Sequence, residues 1–125
     1  MQIGGTLKVS VHEARLIRDV DTFSKMDPYC ILEVHGQVYK SQVHNDGGKT
    51  PRWQFNIDIQ VRDMQEQFKY RVEDSGTFSN TIIGFGHCTI GELCINGGVN
   101  EWRKLQYEFK PAGELHFETH YVMPG

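Results

Sequence analysis

The chain has 125 residues and a formal net charge of −3 at pH 7, which suits one domain and gives no electrostatic argument for nucleic-acid binding. No apolar run approaches the roughly 20 residues of a membrane-spanning helix, and we expect neither a secretory signal nor a myristoylation motif at the N-terminus. The three cysteines lack zinc-knuckle spacing, which indicates reduced thiols in a cytoplasmic protein. We expect a single domain over residues 1–125.

Alternation of apolar and polar residues predicts β-strands along most of the chain. Glycine-containing turns separate the alternating segments, and none of them carries a convincing helical stripe. Eight short strands with one apolar face each predict an all-β, two-sheet antiparallel sandwich. In chain order the predicted strands are TLKVSVHEA, YCILEVH, QVYKSQV, WQFNIDIQV, FKYRVED, IIGFGHCTI, WRKLQYEF and ELHFETHYV.

Three aspartates lie close together in the segment DVDTFSKMDPY, at Asp19, Asp21 and Asp27. Calcium takes about six to eight oxygen ligands, several of them from carboxylates. One loop of this kind therefore supplies only part of a calcium site, and a second acidic loop is needed. Aspartates also hold turns through their own side chains, and this is the alternative role for Asp21 and Asp27.

Several motifs in this order carry a resemblance to a known family. MDPYC opens the second predicted strand, TPRWQF opens the fourth, and VEDSGTFSNTIIG surrounds a later loop. Over essentially its whole length the chain resembles a C2 domain. The resemblance implies an eight-stranded antiparallel β-sandwich with the circularly permuted order of phospholipase-type members, known as type II topology. The chain is also similar to the small stand-alone elicitor-responsive and phloem proteins of plants.

The resemblance implies a calcium site built from two loops. Asp21 and Asp27 match the ligand positions of the first loop, and Asp74 matches the first ligand position of the later loop. Gly76 and Thr81 stand where the family usually has two further acids. With two acids missing, we expect at most one weakly bound calcium ion.

Two groups of residues are candidates for membrane contact. Phe23 and Phe78 each lie within the string TFS in the two acidic loops, and aromatic rings at loop tips suit a membrane interface. The alternative is that both rings fold back onto the sandwich. Lys40, Lys69 and Arg71 are predicted to point outward. The resemblance implies that such a patch binds phosphoinositide headgroups, the alternative being an ordinary charged face.

Two classes of function remain open. One is a non-enzymatic module that docks on anionic phospholipid membranes, and the other is a calcium-independent protein-interaction adaptor. The acidic loops would repel anionic lipid unless a cation neutralises them. No serine, cysteine or histidine lies in a pattern that indicates a nucleophile or a zinc site, so we do not expect an enzyme. A cytoplasmic protein that is peripheral at membranes fits both classes.

Overall fold

The computed structural model describes residues 4–125. Residues 1–3, which the prediction of a single domain over residues 1–125 includes, lie outside the described part. All eight predicted strands form. A four-residue helix and a short 3₁₀ turn, Ile95–Gly97, separate the sixth strand from the seventh. The elements are β1 (Thr6–Leu16), β2 (Pro28–Val34), β3 (Gln37–Lys40), β4 (Arg52–Gln60), β5 (Gln67–Asp74), β6 (Thr81–Thr89), α1 (Ile90–Leu93), β7 (Asn100–Tyr107) and β8 (Lys110–Val122).

The strands form one antiparallel sheet in the order β3-β2-β5-β6-β7-β8-β1-β4. Within residues 4–125, β6 and β7 pair only at Phe85 and Gln106. The sheet therefore folds into two four-stranded halves that meet along this seam, which gives the predicted sandwich. No helix in the described part of the chain is long and apolar enough to cross a membrane.

The apolar faces of the two halves pack against each other, as the alternation predicts. Leu7, Val11 and Phe117 are fully buried. The ring of Phe117 meets Phe68 and Tyr70 edge-on, with centroid distances of 6.0 and 5.1 Å. Each fully buried side chain of this size contributes about 1.5–3 kcal/mol to folding, so this core holds the two halves together.

Several strand predictions were wrong at their ends: YCILEVH and WQFNIDIQV run one residue past β2 and β4, and three further cases have a visible cause. QVYKSQV was predicted as one strand, but β3 ends at Lys40 because the Ser41 hydroxyl, rather than a backbone carbonyl, accepts the N–H of Cys30 at 2.8 Å. Ile90 belongs to α1 because Thr89 and Glu92 form a capping box at the start of that helix. WRKLQYEF was predicted as a strand through Phe109, but β7 ends at Tyr107 and a hairpin turn follows.

Four connections lie at one end of the sandwich. Pro28 at the start of β2 pairs with Asp74 at the end of β5, and Leu16 at the end of β1 pairs with Gly113 near the start of β8. The Leu16 N–H donates to the carbonyl of Lys49 at 2.8 Å, which brings in the β3–β4 connection. We call this region the loop end; it consists of residues 17–27, 41–51, 75–80 and the turn 108–109.

Candidate functional site

Hydrogen bonds of Asp27 and Asp74 link three of the four loops at the loop end. The backbone N–H of Asp27 donates to Oδ1 of Asp74 at 2.7 Å, and the N–H of Ser75 donates to the carbonyl of Asp27 at 3.0 Å. Oδ1 of Asp27 accepts the N–H of Asp46 at 2.8 Å. The structure thus brings together two of the three predicted calcium ligands.

Asp21 organises its own loop. Its Oδ1 accepts the backbone N–H groups of Phe23 and Ser24 at 3.1 and 3.0 Å, and its Oδ2 accepts the Ser24 hydroxyl at 2.7 Å. The bonds from Ser24, first from its hydroxyl and then from its backbone, lower the pKa of this exposed carboxyl, and the bond from Phe23 adds to them. Asp21 therefore has the turn-forming role that the sequence left as its alternative, and it orients the backbone that carries Phe23.

The electrostatics of the site centre on Asp74. Burial raises the pKa of its carboxyl, and the negative charges of Asp21, Asp27 and Asp19 raise it further, against the lowering effect of the Asp27 N–H. The net shift is upward, so the ionised form of Asp74 is disfavoured among its neighbours. Asp19, which is not among the predicted calcium ligands, acts on this site through its charge. A bound cation would relieve the repulsion.

The loop after β5 leaves no room for the family's next acid. A Cβ atom added to Gly76 would collide with the carbonyl oxygen of Ser79, at less than the 3.0 Å that real Cβ atoms keep. The Gly76 N–H donates to Oδ1 of Asn80 at 3.2 Å, which holds this tight conformation. Thr81, where the family usually has another acid, is exposed and pairs with Asp74 across the two strands.

The residues present fit calcium in charge but not in number of ligands. Within residues 4–125, no three His, Cys, Asp or Glu side chains are arranged to hold a metal ion. Asp27 and Asp74 are the carboxylates that would hold an ion, while both oxygens of Asp21 already accept local hydrogen bonds. This donor set does not form a two-ion site, which needs more carboxylates than the loop end brings together.

Phe23 and Phe78 project from two separate connections of the loop end. The side chain of Phe23 is 97% exposed and that of Phe78 is 100% exposed. The alternative, that both rings fold back onto the sandwich, is wrong. Full exposure of a large aromatic ring costs hydrophobic free energy unless another apolar surface covers it.

The predicted basic patch contains an acid that the sequence interpretation overlooked. Lys40 and Arg71 both lie opposite Ile31 on the two sides of β2. Arg71 Nε donates to Oε2 of Glu73 at 2.7 Å, and the Tyr29 hydroxyl donates to Oε1 of Glu73 at 2.7 Å. Burial raises the pKa of Glu73, but the bonds from Tyr29 and Arg71 outweigh burial and lower it. Arg71 is therefore already neutralised within the protein.

Lys69 lies further along β5, opposite Glu33 of β2. It belongs to the same strand as Arg71 and is exposed. The spacing of Lys69, Arg71 and Glu73 at every second residue was the available signal that the acid shares their face.

Two further apolar residues of the loop end are exposed and were not among the predicted site residues. Phe109 is 100% exposed in the β7–β8 turn, and Ile17 is 64% exposed just after β1. Alternation continues through WRKLQYEF, and the turn lacks the glycine or asparagine that marks most hairpins. For this reason the sequence predicts Phe109 as a strand residue, whereas β7 ends at Tyr107.

The structure is that of a β-sandwich domain whose candidate site lies in acidic, aromatic loops at one end. Comparison with known proteins identifies the family of this domain. The sequence model of the C2 domain family matches residues 5–105. The chain therefore belongs to the C2 domain family, whose members are generally non-catalytic modules that bind membranes, lipids or proteins.

Curated relatives include plant proteins. The chain is 27% identical over 128 residues to Protein SRC2 of Glycine max, an alignment that covers 90% of this chain and 44% of the relative. It is 31% identical over 99 residues to Elicitor-responsive protein 3 of Oryza sativa subsp. japonica, covering 78% of this chain and 68% of the relative. The chain thus spans less than half of the length of the soybean relative.

Solved structures show the same fold. A C2 domain of a plant Extended Synaptotagmin 1 superposes with a TM-score of 0.87 at 20% identity, covering 100% of this chain and 99% of that one. A C2 domain-containing protein from a putative elicitor-responsive gene gives a TM-score of 0.81 at 23% identity, with coverage of 100% and 94%. These similarities confirm the predicted all-β C2 fold.

Proposed function

We propose that this chain acts as one C2 unit that docks its loop end on anionic phospholipid membranes, as a cytoplasmic protein peripheral at the membrane. The observation that carries this proposal is the full exposure of Phe23 and Phe78 on two loops. The hydrogen bond between Asp27 and Asp74 holds these loops in a fixed relation. Membrane insertion removes both rings from water without a change of fold.

Calcium has a secondary role in this proposal. Asp27 and Asp74 hold at most one ion, weakly, with Asp21 adding negative charge from the neighbouring loop. An ion bound there neutralises part of the acidic charge that would otherwise repel anionic headgroups. The proposal therefore predicts that calcium strengthens vesicle binding but is not the source of most of the binding free energy.

Vesicle co-sedimentation tests the docking role. A Phe23→Ser, Phe78→Ser variant should bind vesicles of phosphatidylcholine and phosphatidylserine at least about tenfold more weakly, since each ring contributes more than about 1.4 kcal/mol when buried. The matched control is Ile95→Ser, Met123→Ser, which removes two exposed apolar side chains from the opposite end. Equal binding by both double variants and the original protein would refute insertion.

The patch of Lys40, Lys69 and Arg71 has a supporting role in the proposal, as a weak contact for phosphorylated headgroups. Lys40 and Lys69 are exposed, whereas Arg71 forms an ion pair with Glu73. Phosphate recognition by two lysines is weaker than recognition by an arginine that offers both of its donor edges. We therefore expect the patch to modulate docking at the loop end rather than to replace it.

A calcium-independent protein adaptor is the second candidate function. The observation that favours it is the acidic character of the loop end, where the charges of Asp21, Asp27 and Asp19 add to the effect of burial in raising the pKa of Asp74. A protein partner with a basic surface would meet this charge without calcium. Failure to bind vesicles either with calcium or with a chelator would favour the adaptor.

A further inference from the structure

The β7–β8 hairpin has an unusual turn. Tyr107 pairs with Lys110, so Glu108 and Phe109 form a two-residue turn with φ angles of 50° and 65°. Positive φ at both positions defines the hairpin turn that favours Asn-Gly, since those residues tolerate the left-handed backbone. A bulky aromatic residue there is a strained outlier.

No packing within residues 4–125 explains this choice. The side chain of Phe109 is 100% exposed, so it gains no burial in exchange for its strained backbone. Strained residues of this kind concentrate at functional positions. An exposed aromatic ring at a strained turn therefore points to a contact made outside the domain.

The turn is physically coupled to the loop that carries Phe23. The N–H groups of Ile17 and Arg18 both donate to the carbonyl of Ala112, at 2.8 and 3.2 Å. The Arg18 guanidinium lies 3.8 Å from the centre of the Tyr107 ring at the base of the hairpin. Ile17, itself 64% exposed, lines the same groove as Phe109 along the β6–β7 seam.

We infer that Phe109 and Ile17 form a third membrane contact of the loop end, so that the domain docks with the β7–β8 turn in contact with the bilayer. This inference rests on the proposed membrane function. Together with Phe23 and Phe78, the contact places exposed apolar side chains on three separate connections of one end. Three points define a plane, so this contact sets the tilt of the domain as well as adding affinity.

A bilayer fits this arrangement better than a protein partner does. A protein partner must supply a matching pocket that encloses a ring at the tip of a hairpin and excludes water from it. Apolar lipid surrounds such a ring completely. Lys110, which follows Phe109 directly and is exposed, suits an anionic surface, as does Arg18 beside Ile17, and the neighbouring acids in the chain are Glu108 and Asp19.

An environment-sensitive dye tests the contact directly. It is attached at Phe109→Cys in a Cys94→Ser background, in which Cys30 and Cys88 remain buried. The same dye at Phe23→Cys, Phe78→Cys and Ile95→Cys reports the other loops and the opposite end. With vesicles of phosphatidylcholine and phosphatidylserine we expect a blue shift at positions 109, 23 and 78 and none at 95.

The outcomes separate this inference from the proposed function. A shift at positions 23 and 78 without one at 109 overturns the third contact and leaves membrane docking intact. No shift at any of the three, together with no vesicle co-sedimentation, overturns both. A blue shift at all three positions supports membrane contact of the β7–β8 turn.

A pair of glycine variants provides an independent test. Phe109→Gly and Glu108→Gly each relieve a positive φ angle, so both should raise the midpoint of thermal unfolding. Only Phe109→Gly removes the ring, and it should lower vesicle affinity several-fold, whereas Glu108→Gly should preserve or increase it. Equal vesicle affinity of the two variants would overturn the inference.

Discussion

Asp27 and Asp74 are 47 residues apart in the chain, yet the backbone N–H of Asp27 donates to Oδ1 of Asp74 at 2.7 Å. The bond crosses from the start of β2 to the end of β5, where Pro28 and Asp74 are paired. It joins the loop that carries Phe23 to the loop that carries Phe78. One aspartate thus serves both the architecture of the loop end and its candidate calcium site.

Thr81→Asp should strengthen calcium binding. Thr81 pairs with Asp74, and directly opposed residues place their Cβ atoms about 4.5–5.5 Å apart. A second carboxylate at this distance should raise calcium affinity about tenfold or more, because affinity follows the number of charged ligands. Calorimetric titration measures this, with Gln67→Asp at the opposite end of β5 as the control. Equal affinity for both variants would contradict the assigned site.

Gly76→Asp should fail to restore the family's acid. Its Cβ would collide with the Ser79 carbonyl oxygen, so the loop must shift to accept any side chain. We expect a loss of about 1–3 kcal/mol in the free energy of unfolding without the gain in calcium affinity of Thr81→Asp. Chemical denaturation and calorimetry measure the two effects. Unchanged stability would show that the loop rearranges freely.

Asp74→Asn should stabilise the domain at neutral pH in a chelator. Burial, followed by the charges of the neighbouring acids, raises the pKa of Asp74 above its ordinary value of 3.8. The folded state therefore binds this proton more tightly, and its contribution is lost as the pH rises through the raised pKa. Asparagine keeps an acceptor for the Asp27 N–H and carries no charge.

Thermal unfolding measured as a function of pH tests whether Asp74→Asn stabilises the domain in this direction. The advantage of Asp74→Asn should be largest at neutral pH and should vanish below the ordinary carboxyl pKa, where both proteins are neutral at this position. Asp46→Asn, which changes an exposed acid of the loop end, is the control. An Asp74→Asn variant less stable than the original protein at neutral pH in chelator would contradict the prediction.

Glu73→Gln should increase binding to vesicles that contain phosphoinositides. Loss of the carboxylate releases Arg71, whose Nε now donates to Glu73 at 2.7 Å, for contact with headgroup phosphates. We expect affinity to rise several-fold. Glu114→Gln, an acid on the other half of the sandwich, is the control. A variant that binds no better than Glu114→Gln would argue against a headgroup role for Arg71.

The same variant should be less stable above the ordinary carboxyl pKa. The pKa of Glu73 is lowered in the fold because its bonds from Tyr29 and Arg71 outweigh burial. Its carboxylate therefore stabilises the folded state at neutral pH, and this contribution is lost as the pH falls through the lowered pKa. The difference in thermal midpoint between the two proteins should accordingly shrink in acid.

Local patterns were sufficient for the existence and apolar face of each strand, and insufficient for the strand ends and the turns. The alternation around Phe117 predicted its burial because side chains of a strand point to opposite faces at every step. The turn at Phe109 was unreadable, because nothing in YEFKPAG signals a left-handed backbone at Glu108 and Phe109. The helix α1 was in principle readable, since TIGE has the Thr and Glu spacing of a capping box.

The amino-acid sequence alone determined which face of each strand is apolar, and it determined which acids and aromatic rings occur in the loops. Only the tertiary structure decided which of them meet. Asp27 reaches Asp74, and Arg71 meets Glu73 instead of solvent, through the pairing of β2 with β5 and the local backbone of β5. That pairing depends on the burial of both strands at once, and a contact between residues distant in sequence has no local pattern to announce it.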